Sequence, residues 1–221
     1  MPDSAMTTEP YGRRPSYAEL LAVIAAGALH VVCELAISAF AARVVNGILV
    51  SAFAGYLIWR VSRDRATLHH WGFRRDNLGP ALLAHLGFAS AGSLALIAIG
   101  SIRGTLALPA TFVVTLALYP LWGLAQQFAL QNLIARNLAA LQGSLRIALL
   151  ASILFAASHL PRWELVALTF AAGVPFTLIY RRFPNLWAVG LAHGVLGSLA
   201  FYLVLEEDPG AMILGAIRAS P

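Results

Sequence analysis

Tyr119-Pro120-Leu121-Trp122-Gly123-Leu124-Ala125-Gln126-Gln127-Phe128-Ala129-Leu130-Gln131 combines the two properties from which the architecture of this chain follows. It is apolar enough to be a helix in hydrocarbon, yet it carries three side-chain amides. An amide in lipid costs free energy unless it is hydrogen-bonded, so three on one helix mark either a packed polar interior or a site. Gln127 and Gln131 stack at i and i+4, and Gln126 points about 100° away, so together they give the helix a wide polar face. Pro120 removes one helical hydrogen bond and its ring clashes with the preceding turn. The helix is therefore expected to kink and to open space ahead of the glutamines. A purely structural alternative is an interhelical clamp, worth about 0.6 to 2 kcal/mol per hydrogen bond in membranes.

Outward from this stretch the rest of the chain has the same character. Hydrophobic residues make up 59% of its 221 residues and charged residues only 11%, where soluble domains carry about a quarter charged. The mean hydropathy is +0.75. A window of about 20 residues finds apolar segments near Tyr17–Ala42, Val44–Val61, Leu78–Ile102, Leu108–Ala135, Ile147–Leu160, Leu165–Tyr180 and Leu186–Leu205. The expected fold class is all-α, a polytopic membrane helix bundle of about seven transmembrane helices. Residues 1–16 read as a disordered cytoplasmic tail, 17–205 as one transmembrane helical domain with its motif-bearing core at about 108–205, and 206–221 as an acidic then apolar tail. The N-terminal stretch lacks a small-residue cleavage pattern, so no processing is expected.

The net charge of +5 would suggest nucleic acid in a soluble chain, but here the basic residues are scattered between apolar runs, as topology signals are. Nucleic-acid binding is not expected. Every basic residue is arginine, which excludes lysine chemistry such as a Schiff base. Arg13, Arg14, Arg60, Arg63, Arg65, Arg74, Arg75, Arg136, Arg146, Arg181 and Arg182 fall in one set of alternate loops. Only Arg43, Arg103, Arg162 and Arg218 fall in the other. The positive-inside rule then places a multi-pass protein in the cell membrane with its N-terminus cytoplasmic and its C-terminus outside. The segment Arg60 to Asn77, with His69, His70 and Trp71, becomes a cytoplasmic loop suited to the headgroup region.

Two further helices each bring one histidine. Phe155-Ala156-Ala157-Ser158-His159 closes the fifth span, and His193-Gly194-Val195-Leu196-Gly197 lies in the seventh. A histidine on an apolar helix usually bonds a neighbouring carbonyl, and only the co-occurrence with the glutamine helix argues for more. Glu19 and Glu34 lie in the first span and need partners. His30 and Glu34, four apart, can satisfy one another. Glu164 reads as a water-exposed carboxylate near Arg162, His85 as core packing, and Glu206, Glu207 and Asp208 as an acidic stop. Cys33 reads as a small core residue. Two neutral histidines with amides make a poor zinc site, so neither a metal nor another cofactor is expected.

These residues resemble the CAAX protease and bacteriocin-processing family, also called Abi or type II CAAX prenyl endopeptidases, which are multi-pass intramembrane peptidases. The family reads Glu-Glu-x-x-x-Arg, Phe-x-x-x-His and His-x-x-x-Asn on successive helices. Here the same order stands as Gln126-Gln127-x-x-x-Gln131, Phe155-x-x-x-His159 and His193-x-x-x-Gly197, and Trp71-Gly72-Phe73-Arg74 looks like the family's short Leu-Gly-Phe/Leu segment. The resemblance implies that a glutamate, assisted by the Phe-x-x-x-His histidine, activates water, while the last histidine and asparagine bind the oxyanion. On that mapping the catalytic positions are Gln126, Gln127, His159 and His193, with Gln131, Phe155 and Trp122 placed to contact substrate.

Two chemical departures bear on activity. An amide cannot accept a proton near neutral pH, and positioned acid–base catalysis typically contributes about 10² to 10⁴ in rate. Gly197 removes one oxyanion donor, a loss of roughly 10² to 10³ in turnover elsewhere. Two functions therefore stay open. One is an intramembrane endopeptidase acting on a membrane-embedded or lipidated peptide, with Glu34 or Glu164 recruited as the acid. The other is a catalytically altered or inactive relative that binds a peptide, isoprenoid or lipid in the same cavity. A transporter is disfavoured, because the sequence has no internal repeat and few central charges.

Overall fold

The computed structural model describes residues 15–141 and 143–219; most of the expected N-terminal tail, with Arg13 and Arg14, lies outside the described residues. Within them the chain is helical and has no β-strand. The helices are α1 (Tyr17–Ala36), α2 (Ala39–Arg63), α3 (Ala66–His70), α4 (Leu78–Arg103), α5 (Thr111–Phe128) running into a π-helical segment (Ala129–Ala135), α6 (Ser144–Ala157), α7 (Trp163–Arg182), α8 (Leu186–Leu203) and α9 (Pro209–Ala219). Six of the described helical stretches are long and apolar enough to cross a membrane: α1, α2, α4, α5 with its π-helical extension, α7 and α8. The apolar α6 is shorter, at 14 residues. This is the architecture of a multi-pass membrane protein, with about seven crossings when α6 is counted.

Local chemistry sets the boundaries. Ser16 caps α1, its hydroxyl accepting from the Glu19 amide, and Ser38 caps α2 through the Ala41 amide. The first hairpin therefore turns at Ile37 and Ser38, and Arg43, which the hydropathy pattern made the divider, sits inside α2. The Asp64 carboxylate accepts from the Ala66 amide at 3.0 Å and starts α3.

The two ends of the bundle are each laced by side chains from distant loops. At one end the Ser16 amide donates to Asn137 Oδ1, Arg181 Nε donates to Ser144 Oγ, and Asn185 Nδ2 donates to the Arg74 carbonyl. At the other, Arg103 donates to Glu206 at 2.9 Å and to the Val204 carbonyl at 3.0 Å, and Arg162 pairs with Glu207. The loops at Arg60–Arg75, Arg136–Arg146 and Arg181–Arg182 thus share the first end.

Three local expectations change. Trp71 does not lie at headgroup level: it is 2% exposed and its ring packs edge-on against Phe128 at 4.8 Å. Its carbonyl accepts from Asn132 Nδ2 and the Tyr180 hydroxyl, and the Gly72 carbonyl accepts from the Leu186 amide at 2.7 Å. Gly72 has φ +85°, and a Cβ there would run into the Tyr180 hydroxyl, so the chain can dive into the bundle only with glycine at this point. His69 and His70 stay exposed, with rings at 89° to one another. The acidic run after α8 is not merely solvated: Glu206 and Glu207 take the arginines above, and Asp208 accepts from the Tyr202 hydroxyl at 2.6 Å and the Thr111 hydroxyl at 2.7 Å. The apolar residues that follow form α9, which packs on α5.

Helices α5 and α8 form the centre. Gly190 and Gly194 of α8 face Leu124 and Pro120 of α5 so closely that a Cβ on Gly194 would come within 2.6 Å of Pro120 Cα. Small residues that allow such backbone approach are how helices associate in lipid, where no hydrophobic effect drives them together. The π-helical segment is buried almost all round, with Leu133 in the core of Trp71, Phe176 and Tyr180, and Leu130 and Ile134 in a second core with Leu20, Ile147 and Phe155.

Glu19 and Arg136 join these parts. Arg136, 3% exposed, donates from Nη2 to Glu19 at 2.8 Å, and Asn137 Nδ2 and the Tyr56 hydroxyl donate to the same carboxylate. Glu19 thereby ties α1 to α2 and to the end of the π-helical segment.

Candidate functional site

The polar face of α5 is turned inward and is bonded as a chain. Gln131 Nε2 donates to Gln127 Oε1 at 3.0 Å and to Thr177 Oγ1 of α7 at 3.2 Å. With its oxygen taken, Gln127 turns its nitrogen to His193 Nδ1 of α8, at 2.9 Å. An amide nitrogen only donates, so Nδ1 accepts and the His193 proton resides on Nε2. The imidazole lies nearly parallel to Tyr119 and Phe176, centroids 6.2 and 5.9 Å away, which fix its plane.

His159 has the complementary form. It follows α6, and its Nδ1 is 3.1 Å from the Phe155 carbonyl, which can only accept, so Nδ1 carries the proton and Nε2 the lone pair. Phe155 packs edge-on against that ring at 5.0 Å and is otherwise buried in the second core. His159 lies within electrostatic range of His193 and of His30 from α1. The site therefore presents one imidazole that donates and one that accepts.

The remaining positions differ in setting. Gln126 is half-buried, and among the described residues its amide makes no hydrogen bond. Gln131 is fully enclosed and Trp122 is 49% exposed on the outer face of α5. The space expected ahead of the glutamines is taken up by α8, whose Gly194 lies on Pro120. Gly197, which stands where the resembled family has asparagine, faces Tyr119 so closely that any Cβ would overlap its ring. Loss of the asparagine and the inward seat of Tyr119 are thus one packing solution.

No carboxylate bonds the His159 ring among the described residues. Glu164 lies 3.9 Å from Arg103. Glu34 is linked more closely: Asn46 Nδ2 donates to it at 3.2 Å, and Asn46 Oδ1 accepts from His30 Nδ1 at 2.9 Å. The i, i+4 pair expected of His30 and Glu34 is therefore bridged by Asn46, the direct separation being 4.0 Å. No group of three or more candidate metal ligands occurs among the described residues. Thr177, Tyr119, Phe176 and Asn46 were not singled out as site residues by motif spacing, and His30 was noted only for its spacing to Glu34.

An apolar helical bundle with amides and imidazoles meeting inside it defines a multi-pass integral membrane protein with a polar interior. Residues 108–199, which hold all three motifs, match the family model described as Type II CAAX prenyl endopeptidase Rce1-like. The match covers that segment alone, within an apolar helical bundle of the kind found in integral membrane proteins. No curated protein and no solved structure matches the chain.

Proposed function

We propose that this chain is a non-hydrolytic relative of the CAAX-type endopeptidases that binds a membrane-embedded or lipidated peptide at His159 and His193. The observation that carries the reading is the bonding of Gln127: its amide is spent holding His193 and offers no proton acceptor to a water. A peptide group has one acceptor and one donor. His193 Nε2–H suits its carbonyl and the His159 Nε2 lone pair suits its N–H, so binding needs nothing the site lacks. Hydrolysis by a glutamate route needs a base, and among the described residues no carboxylate bonds the His159 ring.

The test uses the reconstituted full chain and a photo-crosslinkable prenylated peptide. The wild type is expected to capture the peptide without cleaving it, and His193→Ala and His159→Ala to lose capture. Gln126→Glu, which leaves the Gln127–His193 hydrogen bond in place, is expected to bring cleavage up by as much as about 10² to 10⁴ over background. Efficient cleavage by the wild type, lost in His159→Ala, would overturn the reading.

One observation favours the competing peptidase. Through Asn46, Glu34 holds His30 with its proton on Nδ1, which leaves a lone pair on Nε2. Under that reading His30 is the recruited base, and Glu34→Leu, which removes the acceptor for Asn46, abolishes cleavage.

A further inference from the structure

The interior site leaves one end of the molecule unused. Beside the α2–α3 corner lies an open groove of about 440 Å³, lined by Leu57, Ile58, Val61, Leu68, Trp71 and Phe73, with Ser62 and Arg65 at its rim. Four of its lining residues, Leu57, Ile58, Val61 and Ser62, belong to the last two turns of α2, beside the arginine-rich end of the bundle.

The charges around that rim are unbalanced. Arg60, Arg63, Arg65, Arg74 and Arg75 are accompanied in sequence by Asp64 and Asp76 alone. Asp76 is committed to Arg74, and Asp64 caps α3 through the Ala66 amide. Arg63 lies over the Trp59 ring at 6.0 Å. The Arg65 side chain is exposed and makes no hydrogen bond or ion pair among the described residues. An apolar slot ending in guanidinium donors without anions is matched by a molecule with an acyl chain and a phosphate at its head.

We propose that this groove holds one anionic phospholipid, its phosphate bonded by Arg65 and an acyl chain lying along Leu57, Val61 and Leu68. The Trp71 ring, fixed from beneath by Phe128, forms the floor. Bound lipid would thus bear on the same Trp71-Gly72 segment that is anchored to Tyr180 and Asn132 beside Gln131. This inference stands apart from the reading of the interior site.

The experiment is native mass spectrometry of the full chain released from nanodiscs of equimolar phosphatidylglycerol and phosphatidylcholine. Retained phosphatidylglycerol is expected to exceed phosphatidylcholine about fivefold, the effect of one arginine near an anionic headgroup. Arg65→Glu is expected to erase the enrichment. Ser62→Trp, which fills the groove with no change of charge, is expected to erase it too. Arg75→Glu removes the same charge outside the groove and is expected to leave it intact. Size-exclusion elution matching the wild type establishes that each variant is folded. Equal retention of the two lipids would sink the proposal, as would equal loss in the Arg65 and Arg75 variants, which means a diffuse surface field. Displacement by excess inorganic phosphate would do the same, because it reduces the site to a free-anion site.

Discussion

At the residue level, one nitrogen in place of one oxygen decides the behaviour of the interior network. Because Gln127 can donate, His193 accepts at Nδ1 and carries its proton on Nε2. Gln127→Glu removes that donor, so the His193 proton is expected to move to Nδ1; nitrogen chemical shifts of the labelled imidazole report the tautomer, and an unchanged spectrum would show that the glutamine does not set it. Gly197→Asn, which restores the family residue, forces a side chain into the Tyr119 ring. It is expected to cost about 1 to 3 kcal/mol of stability as overpacking. Thermal unfolding in detergent measures the loss, and combining it with Tyr119→Ala is expected to recover most of it, since the two side chains compete for one volume.

At the level of elements, what holds the apolar helices in place is mostly polar. Glu19 gathers α1, α2 and the π-helical segment, and Arg136 is already short of partners, its Nε and Nη1 being buried without hydrogen bonds. Glu19→Gln leaves a nearly buried guanidinium uncompensated, which typically costs about 3 to 5 kcal/mol. The double change Glu19→Leu with Arg136→Met is expected to cost less than Glu19→Gln alone, read from denaturation midpoints in detergent. If the double variant is the worse of the two, the pair contributes more than its desolvation costs. The α3–α4 connection has a different dependence. The Arg74 hydrogen bond holds the Asp76 carboxyl at about 2, below the usual 3.8. A depressed carboxyl contributes stability above its unfolded value and loses it as pH falls through the folded one. The Arg74 contact is therefore expected to persist from neutral pH down past pH 3.8 and to open only near pH 2, a titration that carboxyl carbon shifts follow directly.

At the level of the whole molecule, the arginine-rich loops share one end of the bundle, as Arg181 on Ser144 and Asn185 on the Arg74 carbonyl attest. Reporter fusions are expected to place that end in the cytoplasm and the α8–α9 end outside. A C-terminal alkaline phosphatase that is inactive would refute the orientation. Much of this was legible in sequence because it depends on composition and period: apolar runs near 20 residues give spans, and arginine bias separates the loops. The motif order Gln126-Gln127, Phe155-His159 and His193 likewise pointed to the segment that matches the family model. Turn position was less legible, because the Ser38 cap, rather than the charge of Arg43, ends the first hairpin. Trp71 was misplaced because an aromatic beside arginines has the same composition whether it faces headgroups or enters the core. Its burial follows from Asn132, Tyr180 and Leu186, which lie 61 to 115 positions away and meet it only after folding. Sequence alone thus determined a membrane-embedded helical protein with amides where acids are expected, since solvation and chemical identity belong to each residue. Tertiary structure alone decided which imidazole donates, which accepts, and that Tyr119 fills the place beside Gly197. Hydrogen-bond direction and packing volume are properties of neighbours, and the neighbours are chosen by the fold.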